Sequence, residues 1–165
     1  MKRTKIGDVF LVEAEKGNRY FQYLGNDSSQ LGGNMIAAFV GNFEGSPIEI
    51  AAVISQPVEF FAITTVTLGL KMQLWKHVGN ALPVEHSHVL FRDTNDYGNP
   101  ELASSDDWWV WSPNTKSKHV GPLVGEYRKS YIGVLAAPTN IAARLRTGKY
   151  SYSYPVPQGE APYLE

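Results

Sequence analysis

The hydrophobic positions in the N-terminal quarter of the chain fall into three short runs separated by polar, glycine-containing intervals. Residues 7–15 hold the first run and are followed by a polar turn at 16–18. Residues 20–24 and 35–40 hold two further runs of aromatic and aliphatic side chains, with glycine, asparagine and serine between them. Such runs suit a pleated, half-buried surface, and such intervals suit turns. The pattern predicts a β-meander that begins an antiparallel sheet.

The middle of the chain is predicted to hold a short helix and a buried strand. Pro47 suits a first helical position with Ser46 as its N-cap, which predicts a helix through Ile54, although the same residues also suit a strand. Residues 58–67 are rich in β-branched and aromatic side chains, which predicts a buried strand. Residues 70–78 have apolar side chains at helical spacing, but the segment is too short to choose between helix and strand.

The clearest helix is predicted near the C-terminus. Residues 138–140 open it, Ile141 and Leu145 lie one turn apart, and Gly148 marks its end. Residues 156–165 are predicted to form an extended tail that packs at first and frays at its end. Further strands are predicted at 89–91, 108–111, 119–123 and 132–136. Together the elements predict one α+β domain over residues 1–165, with a largely antiparallel, curved sheet, one or two short helices and the C-terminal helix.

Composition and charge exclude several classes of site. A chain of 165 residues with 43% hydrophobic side chains can bury a sizeable core. Its 15 basic and 16 acidic residues leave a net charge of -1, which offers no basic field for nucleic acid phosphates. Because cysteine is absent, there is no disulfide and no thiolate ligand or nucleophile. Acidic residues interrupt the apolar segment that a signal peptide would need, and no run of about 18 apolar residues occurs, so we expect neither secretion by a leader nor a membrane span.

His86 and His88 are the first candidates for catalysis. On a strand, alternate side chains point to one face, and such a pair of imidazoles can begin a metal site. A hydrolytic centre needs a further ligand, for which Asp93 or Asp96 is the obvious choice. Residues 93–98 imitate the start of a calcium loop but lack two of its oxygen ligands. No serine-hydrolase elbow or phosphate-binding loop occurs either. We favour structural histidines and a simple turn, and we predict no metal and no cofactor.

Residues 106–111, DDWWVW, couple two acids to three tryptophans. On a strand, Trp109 and Trp111 would share one face and Trp108 the other, and at least one of these faces would lie in the core. An exposed tryptophan beside acids is also typical of a protein-binding hot spot that faces a basic partner. The predicted partner-binding surface is a local acidic patch with a tryptophan inside it, made of Asp93, Asp96, Asp106, Asp107, Trp108 and Glu126.

Five stretches of the chain together resemble a known family. They are KIGDVF at 5–10, YFQYLGNDSSQL at 20–31, LFRDTNDYG at 90–98, WVW at 109–111 and RLRTGKY at 144–150. They are similar to small bacterial proteins of family 26 of the polymorphic-toxin immunity proteins, a group also labelled with the phosphotriesterase HocA. The resemblance extends in register from residue 5 to residue 155. It implies a cytoplasmic immunity protein that binds and neutralises a toxin domain encoded nearby, but no known catalytic or toxin-contacting residue comes with it.

Two other functions stay open. The family label also implies hydrolysis of organophosphate triesters, for which His86 and His88 with Asp93 or Asp96 would be the site. The best-known enzymes of that chemistry use two metals in a barrel of about 250 residues, which this chain is too short to build. A non-catalytic peptide or small-ligand binding module that uses the tryptophans is the third possibility. We favour the non-catalytic immunity protein, with a protein partner and neither a nucleic acid nor a membrane partner.

Overall fold

The computed structural model describes residues 3–45 and 48–160 of the chain. Within these residues the predicted α+β class is confirmed. The strands are β1 (Asp8–Val12), β2 (Arg19–Asp27), β3 (Gly33–Phe39), β4 (Val58–Thr64), β5 (Lys76–Asn80), β6 (Phe91–Thr94), β7 (Ser104–Ser105), β8 (Trp108–Trp111), β9 (Lys118–Gly121), β10 (Tyr131–Ile132) and β11 (Val156–Pro157). The helices are α1 (Ile50–Ile54), α2 (Val66–Lys71) and α3 (Pro138–Thr147).

The predicted meander forms the centre of a five-stranded antiparallel sheet, in which β4 and β5 are the edges of the order β4-β3-β2-β1-β5. β2 and β3 extend further into the polar interval than predicted. Asn26 and Asn34 are cross-strand partners, and the Asn34 amide donates to Asn26 Oδ1 over 2.8 Å. Because these polar side chains pair with each other across the ladder, the strands continue to a turn of only five residues, 28–32.

Both faces of the five-stranded sheet are buried, which explains why β3 and β4 are apolar at nearly every position. On one face the strands pack against α2, α3 and Trp75, through a cluster that includes Phe10, Phe21, Ile36, Phe60, Ile141 and Leu145. On the opposite face they pack against a second sheet, through a cluster that includes Leu24, Met35, Phe61, Ile63, Phe91 and Trp111. The first sheet therefore serves as the central layer of the molecule.

The second sheet has four strands in the order β10-β6-β8-β9. β6, β8 and β9 pair antiparallel, and the two-residue strand β10 lies parallel to β6. As predicted, the two faces of β8 differ: Trp111 packs toward the first sheet, whereas Trp108 and Val110 pack with Tyr154 on the other side. The start of the C-terminal segment is anchored, because β11 pairs with β7 and residues 154–157 are buried. Residues 161–165, the end of the predicted tail, lie outside the described residues.

Several predicted element boundaries are wrong. α1 begins at Ile50 with Glu49 as its N-cap, and the predicted start at Ser46 and Pro47 lies outside the described residues. The strand predicted for 58–67 ends at Thr64, because Val66 already begins α2. Of the later strands, β8 matches its prediction, whereas β6, β9 and β10 are displaced from 89–91, 119–123 and 132–136 by up to a few residues.

The helical spacing in residues 70–78 does not correspond to one helix. α2 ends at Lys71, Gln73 adopts a left-handed conformation, and β5 begins at Lys76. The chain turns back here so that Trp75 packs on α2, where its indole N–H donates to the Val66 carbonyl over 3.0 Å. Gly69 makes room for the ring, since a Cβ at this position would lie 1.9 Å from it. A tertiary contact of one tryptophan thus overrides the local periodicity.

The C-terminal helix α3 is confirmed. Gly148 follows it in the left-handed conformation, φ 83°, and its N–H donates to the Arg144 carbonyl over 2.8 Å. Ile141 and Leu145, the two residues predicted to lie one turn apart, are both buried against the first sheet. Among the helices that the structure describes, none is long and apolar enough to cross a membrane.

The Asp27 carboxylate joins the two sheets at the end of β2. Oδ1 accepts from Asn114 N over 2.8 Å and from Ser29 N over 3.0 Å, and it also accepts from the Ser29 hydroxyl. Oδ2 accepts from the Trp111 indole over 2.9 Å. The Asn114 side chain also bonds this turn, since its Oδ1 accepts from Ser28 N over 2.9 Å. The turn after β2 is therefore bonded to β8 and to the loop that follows it.

Asp27 is fully buried, yet it is held in its charged form. Burial alone would raise the pKa of this carboxyl, but hydrogen bonds from Ser29, Asn114 and Trp111 outweigh burial and set the pKa below its ordinary value. A group with a lowered folded pKa stabilises the fold above its unfolded pKa of about 3.9. That contribution is lost as the pH falls through the folded pKa.

Replacing Asp27 by asparagine should lower the free energy of unfolding by about 3 kcal/mol at pH 7, because an amide cannot accept from all four donors and would turn an N–H toward one of them. Urea unfolding followed by circular dichroism measures the change. Asp106→Asn, at an exposed position, is the matched control and should stay within about 0.5 kcal/mol of the parent. The difference between parent and D27N should shrink as the pH falls below about 3.9; a difference that is constant down to pH 2 would contradict a charged Asp27.

Candidate protein-binding surface

Most of the predicted acidic residues do converge on one end of the second sheet. Asp93 lies on β6, Asp96 in the turn after it, and Asp106 and Asp107 immediately before β8. Glu126 lies in a separate exposed 3-10 helix, Gly125–Lys129, and no hydrogen bond or ion pair within the described residues connects it to the others. Four of the five predicted acids therefore lie near one end of the second sheet, and Glu126 lies apart from them.

Ser105 organises the backbone that carries these acids. Its hydroxyl donates to Asp96 Oδ2 over 2.6 Å and accepts from Asp107 N over 3.0 Å. It also bonds the Thr94 hydroxyl at 2.9 Å, which in turn accepts from Asp96 N over 3.2 Å. Because the Ser105 hydroxyl is buried and each of its hydrogen-bonding positions is taken, it holds the loop in place and is not free to act as a nucleophile.

Trp109 and His119 form the exposed aromatic part of the site. They are cross-strand partners on β8 and β9, and their rings lie 4.9 Å apart. His119 Nε2 donates to Asp107 Oδ1 over 2.6 Å, and the Asn95 amide donates to Asp107 Oδ2 over 3.1 Å. The side chains of His119 and Asp107 are 50% and 45% exposed. We call the group Asn95, Asp106, Asp107, Trp109 and His119 the Trp109 surface.

The charge of the Trp109 surface is stabilised locally. The hydrogen bond from His119, followed by the one from Asn95, lowers the pKa of the Asp107 carboxyl below its ordinary value. Asp107 is therefore an anion throughout the physiological range. An anion beside a partly exposed tryptophan suits contact with a cationic side chain, through the carboxylate and through the face of the ring.

The prediction that Trp108 contacts a partner is wrong. Trp108 has no exposed surface; it packs with Val110 and Tyr154, and its indole donates to the Ser105 carbonyl over 2.8 Å. Alternation along β8 turns Trp108 inward and leaves Trp109 at the edge of the molecule. The tryptophan that a partner can reach is Trp109.

Asp93 also faces inward rather than toward a partner. Its Oδ1 accepts from Thr94 N over 2.8 Å and from the Tyr154 hydroxyl over 3.0 Å. Burial of Tyr154 and the negative charge of Asp93 together raise the pKa of the Tyr154 phenol, so this tyrosine stays a neutral donor. Asp93 therefore has a structural role: it bonds the C-terminal segment to β6.

The sequence placed the two candidate catalytic histidines on one face of a strand. In the structure they lie in a turn instead. His86 Nδ1 lies 2.7 Å from the Val84 carbonyl, whereas His88 Nδ1 lies 2.7 Å from Glu85 Oε2. Hydrogen bonds from Ser87 and then from His88 lower the pKa of Glu85 to about 2. These contacts close a local turn, and they engage each imidazole separately.

The four residues proposed for a hydrolytic centre do not assemble. His86 and His88 bond within their own turn, while Asp93 and Asp96 bond Tyr154 and Ser105. Among residues 3–45 and 48–160, no group of three or more histidine, aspartate or glutamate side chains is arranged to hold a metal ion. The Trp109 surface itself presents a carboxylate and an aromatic ring to contact with another molecule.

The contribution of His119 was missed from the sequence, because its role depends on strand pairing. The sequence feature that could have indicated this role of His119 is the turn between β8 and β9. There Thr115 N donates to the Ser112 carbonyl over 3.0 Å, and Asn114 adopts a left-handed conformation, φ 63°. Recognising that hairpin would have placed β9 beside β8, although the one-residue shift in register between Trp108 and Trp109 would have remained hidden.

The chain was also compared with known proteins. The comparisons with protein-family models, with curated proteins and with solved structures found no significant match. The resemblance to family 26 of the immunity proteins therefore stays a hypothesis that experiment has to test.

Replacing His119 by phenylalanine should raise the pKa of Asp107 toward its ordinary value, because the largest stabilising hydrogen bond is lost while a ring still covers Trp109. The Asp107 carboxyl ¹³C shift, followed by NMR between pH 2 and pH 6, measures the change. Asn95→Ala should raise the pKa by less, since its hydrogen bond is the weaker of the two causes. An Asp107 pKa that H119F leaves unchanged would show that the contact with His119 is absent in solution.

Proposed function

We propose that this chain is an immunity protein that binds a cognate bacterial toxin domain in the cytoplasm and neutralises it through the Trp109 surface. The resemblance of five stretches to family 26 of the immunity proteins supports the class of function. The Trp109 surface supports the place of contact. The toxin domain is expected to be encoded by a neighbouring gene and to carry a basic patch.

The observation that carries the proposal is a partly exposed tryptophan held rigidly beside a carboxylate. Trp109 lies on a strand, its ring contacts His119, and Asp107 is fixed by hydrogen bonds from His119 and Asn95. Tryptophans of this kind dominate binding energy at protein interfaces. Because the side chains are already ordered by their own contacts, little conformational entropy remains to be lost when a partner binds.

The charges favour a basic partner at this surface in spite of the small net charge of the chain. Asp96, Asp106 and Asp107 lie in the loops at one end of the second sheet, and Lys118 is the exposed cation on β9. A local excess of carboxylates accelerates encounter with a basic surface and selects against acidic proteins. Such an inhibitor needs a stable scaffold and a complementary surface, and it needs no catalytic group.

Co-production with the protein encoded by the neighbouring gene tests the proposal. The parent chain should protect cells from that protein and should form a complex with it in a pull-down. Trp109→Ala should weaken binding at least about 30-fold, because an interface hot spot contributes about 2 kcal/mol or more. Trp109→Phe should lose less, since the indole N–H has no hydrogen-bond partner among the described residues and only ring area is removed.

Two further variants distinguish an effect of local charge on binding from a general loss of the fold. Asp106→Asn should slow association, and the effect should weaken as salt concentration rises. Glu44→Gln, an exposed acid outside the Trp109 surface, should leave affinity and protection unchanged. Urea unfolding of every variant checks that the fold is intact. Absence of binding and protection with neighbouring gene products would reject the function; tight binding that is indifferent to Trp109→Ala and Asp106→Asn would reject the surface.

A further inference from the structure

A second candidate site lies on the opposite side of the second sheet, where an open cleft of about 1190 Å³ separates the loop after β6 from the segment after α3. It is lined by residues 98–100, 102 and 103, by residues 148–156, and by Arg144 and Ile132. We call it the tyrosine cleft. None of the residues that line it belongs to the Trp109 surface. Its volume exceeds what a small organic ligand requires.

Aromatic rings form a continuous row, of which Tyr150, Tyr152 and Tyr154 line the tyrosine cleft. The rings of Tyr150 and Tyr152 stack with their centroids 4.9 Å apart. Tyr97 contacts Tyr152 at 6.2 Å and Tyr154 at 5.1 Å, and Tyr154 continues the row to the buried Trp108. Each of these rings is fixed by its neighbours. A flat ring can therefore be added to the row by stacking or edge contact without ordering new side chains.

Arg144 places an unpaired positive charge in this cleft. Its guanidinium lies 4.2 Å from the ring centroid of Phe60 and 4.7 Å from that of Tyr150. Its Nε is buried, and within the described residues the Arg144 side chain has neither a hydrogen-bond acceptor nor an acidic partner. The contrast with Arg19 is direct, because Arg19 is paired with Glu59 and donates to two carbonyls. A partly buried guanidinium without an acceptor is a ready binding group for an anion.

The electrostatic balance of the cleft favours an anion. Arg144 and Lys149 are its charged lining residues, and among residues 3–45 and 48–160 no carboxylate lines it. The carbonyl end of α3 lies nearby and opposes an anion with about half a negative charge. Arg144 and Lys149 carry two positive charges beside that helix end, so the local sign stays positive.

We propose that the tyrosine cleft binds a small organic anion that carries a flat ring. The acidic group, a carboxylate or a phosphate monoester, pairs with Arg144, while the ring lies against the tyrosine row beside Tyr150. Lys149 increases the local attraction for the anion. The site goes beyond the proposed toxin binding, because it uses different residues, the opposite face of the second sheet and the opposite charge.

Ligand-observed NMR with the full chain tests the proposal, with 2-naphthoate and 2-naphthyl phosphate as the two ring-bearing anions. Either one should bind with a dissociation constant of about 1 mM or lower, and the tighter of the two identifies the acidic group. 2-Naphthalenemethanol, which keeps the ring without the charge, and acetate, which keeps the charge without the ring, should each bind at least about tenfold more weakly. Equal binding of the neutral alcohol would overturn the proposal.

Arg144→Gln should weaken binding of the ring-bearing anion about tenfold or more. Arg146→Gln is the matched control: it removes the same charge two residues away, where the side chain is exposed and donates to the Glu13 carbonyl. R146Q should change affinity by less than about twofold. Equal losses in the two variants would reduce the effect to overall charge and would reject a site at Arg144.

Because Arg144 also packs between two rings, R144Q could disturb the fold, so a measurement on the parent chain is included. Titration of 2-naphthoate should shift the Arg144 Nε–H resonance and the ring signals of Tyr150 and Tyr152. The indole signal of Trp109 should not move. Shifts confined to residues outside the tyrosine cleft would overturn the proposal, and this outcome is independent of whether any toxin binds.

Discussion

The Asp27 carboxylate is the interaction on which the arrangement of the two sheets depends. It accepts from the turn that closes β2 and β3, from the Trp111 indole of β8 and from the loop after β8. A buried charge is costly unless each of its lone pairs is bonded, so only one placement of the second sheet satisfies it. The apolar contact of Phe91 and Trp111 with the first sheet buries hydrophobic surface, whereas the hydrogen bonds of Asp27 fix the orientation of the second sheet in that contact.

The same placement creates two surfaces of opposite character. Alternation along β8 sends Trp111 toward the first sheet and Trp108 toward Tyr154, and it leaves Trp109 partly exposed near Asp107. One side of the second sheet is therefore acidic with a single exposed tryptophan, and the other is a basic cleft with a row of tyrosines. A rigid sheet that is buried against a central layer can present both, because its surface side chains do not have to hold the fold together.

Exposure and internal hydrogen bonds together distinguish the supporting residues from those that a partner can use. The Ser105 hydroxyl and the Asp93 carboxylate are groups that often take part in catalysis or binding. In this structure both make hydrogen bonds within the protein. His86 and His88 are likewise committed to their own turn. Asp107 and Arg144 differ from these residues. About half of the charged Asp107 side chain is exposed to solvent, and the Arg144 guanidinium has no hydrogen-bond acceptor among the described residues.

The sequence by itself determined the α+β class, the N-terminal meander and the helix α3, because these depend on local periodicity and on cap residues such as Gly148. It also predicted that at least one face of residues 108–111 is buried, since side chains alternate on any strand. Tertiary structure alone decided that Trp108 is the buried ring and Trp109 the partly exposed one, that His119 bonds Asp107, and that Trp75 packs back on α2. Strand register and long-range packing join residues that are distant in the chain, and no local pattern records which of them will meet.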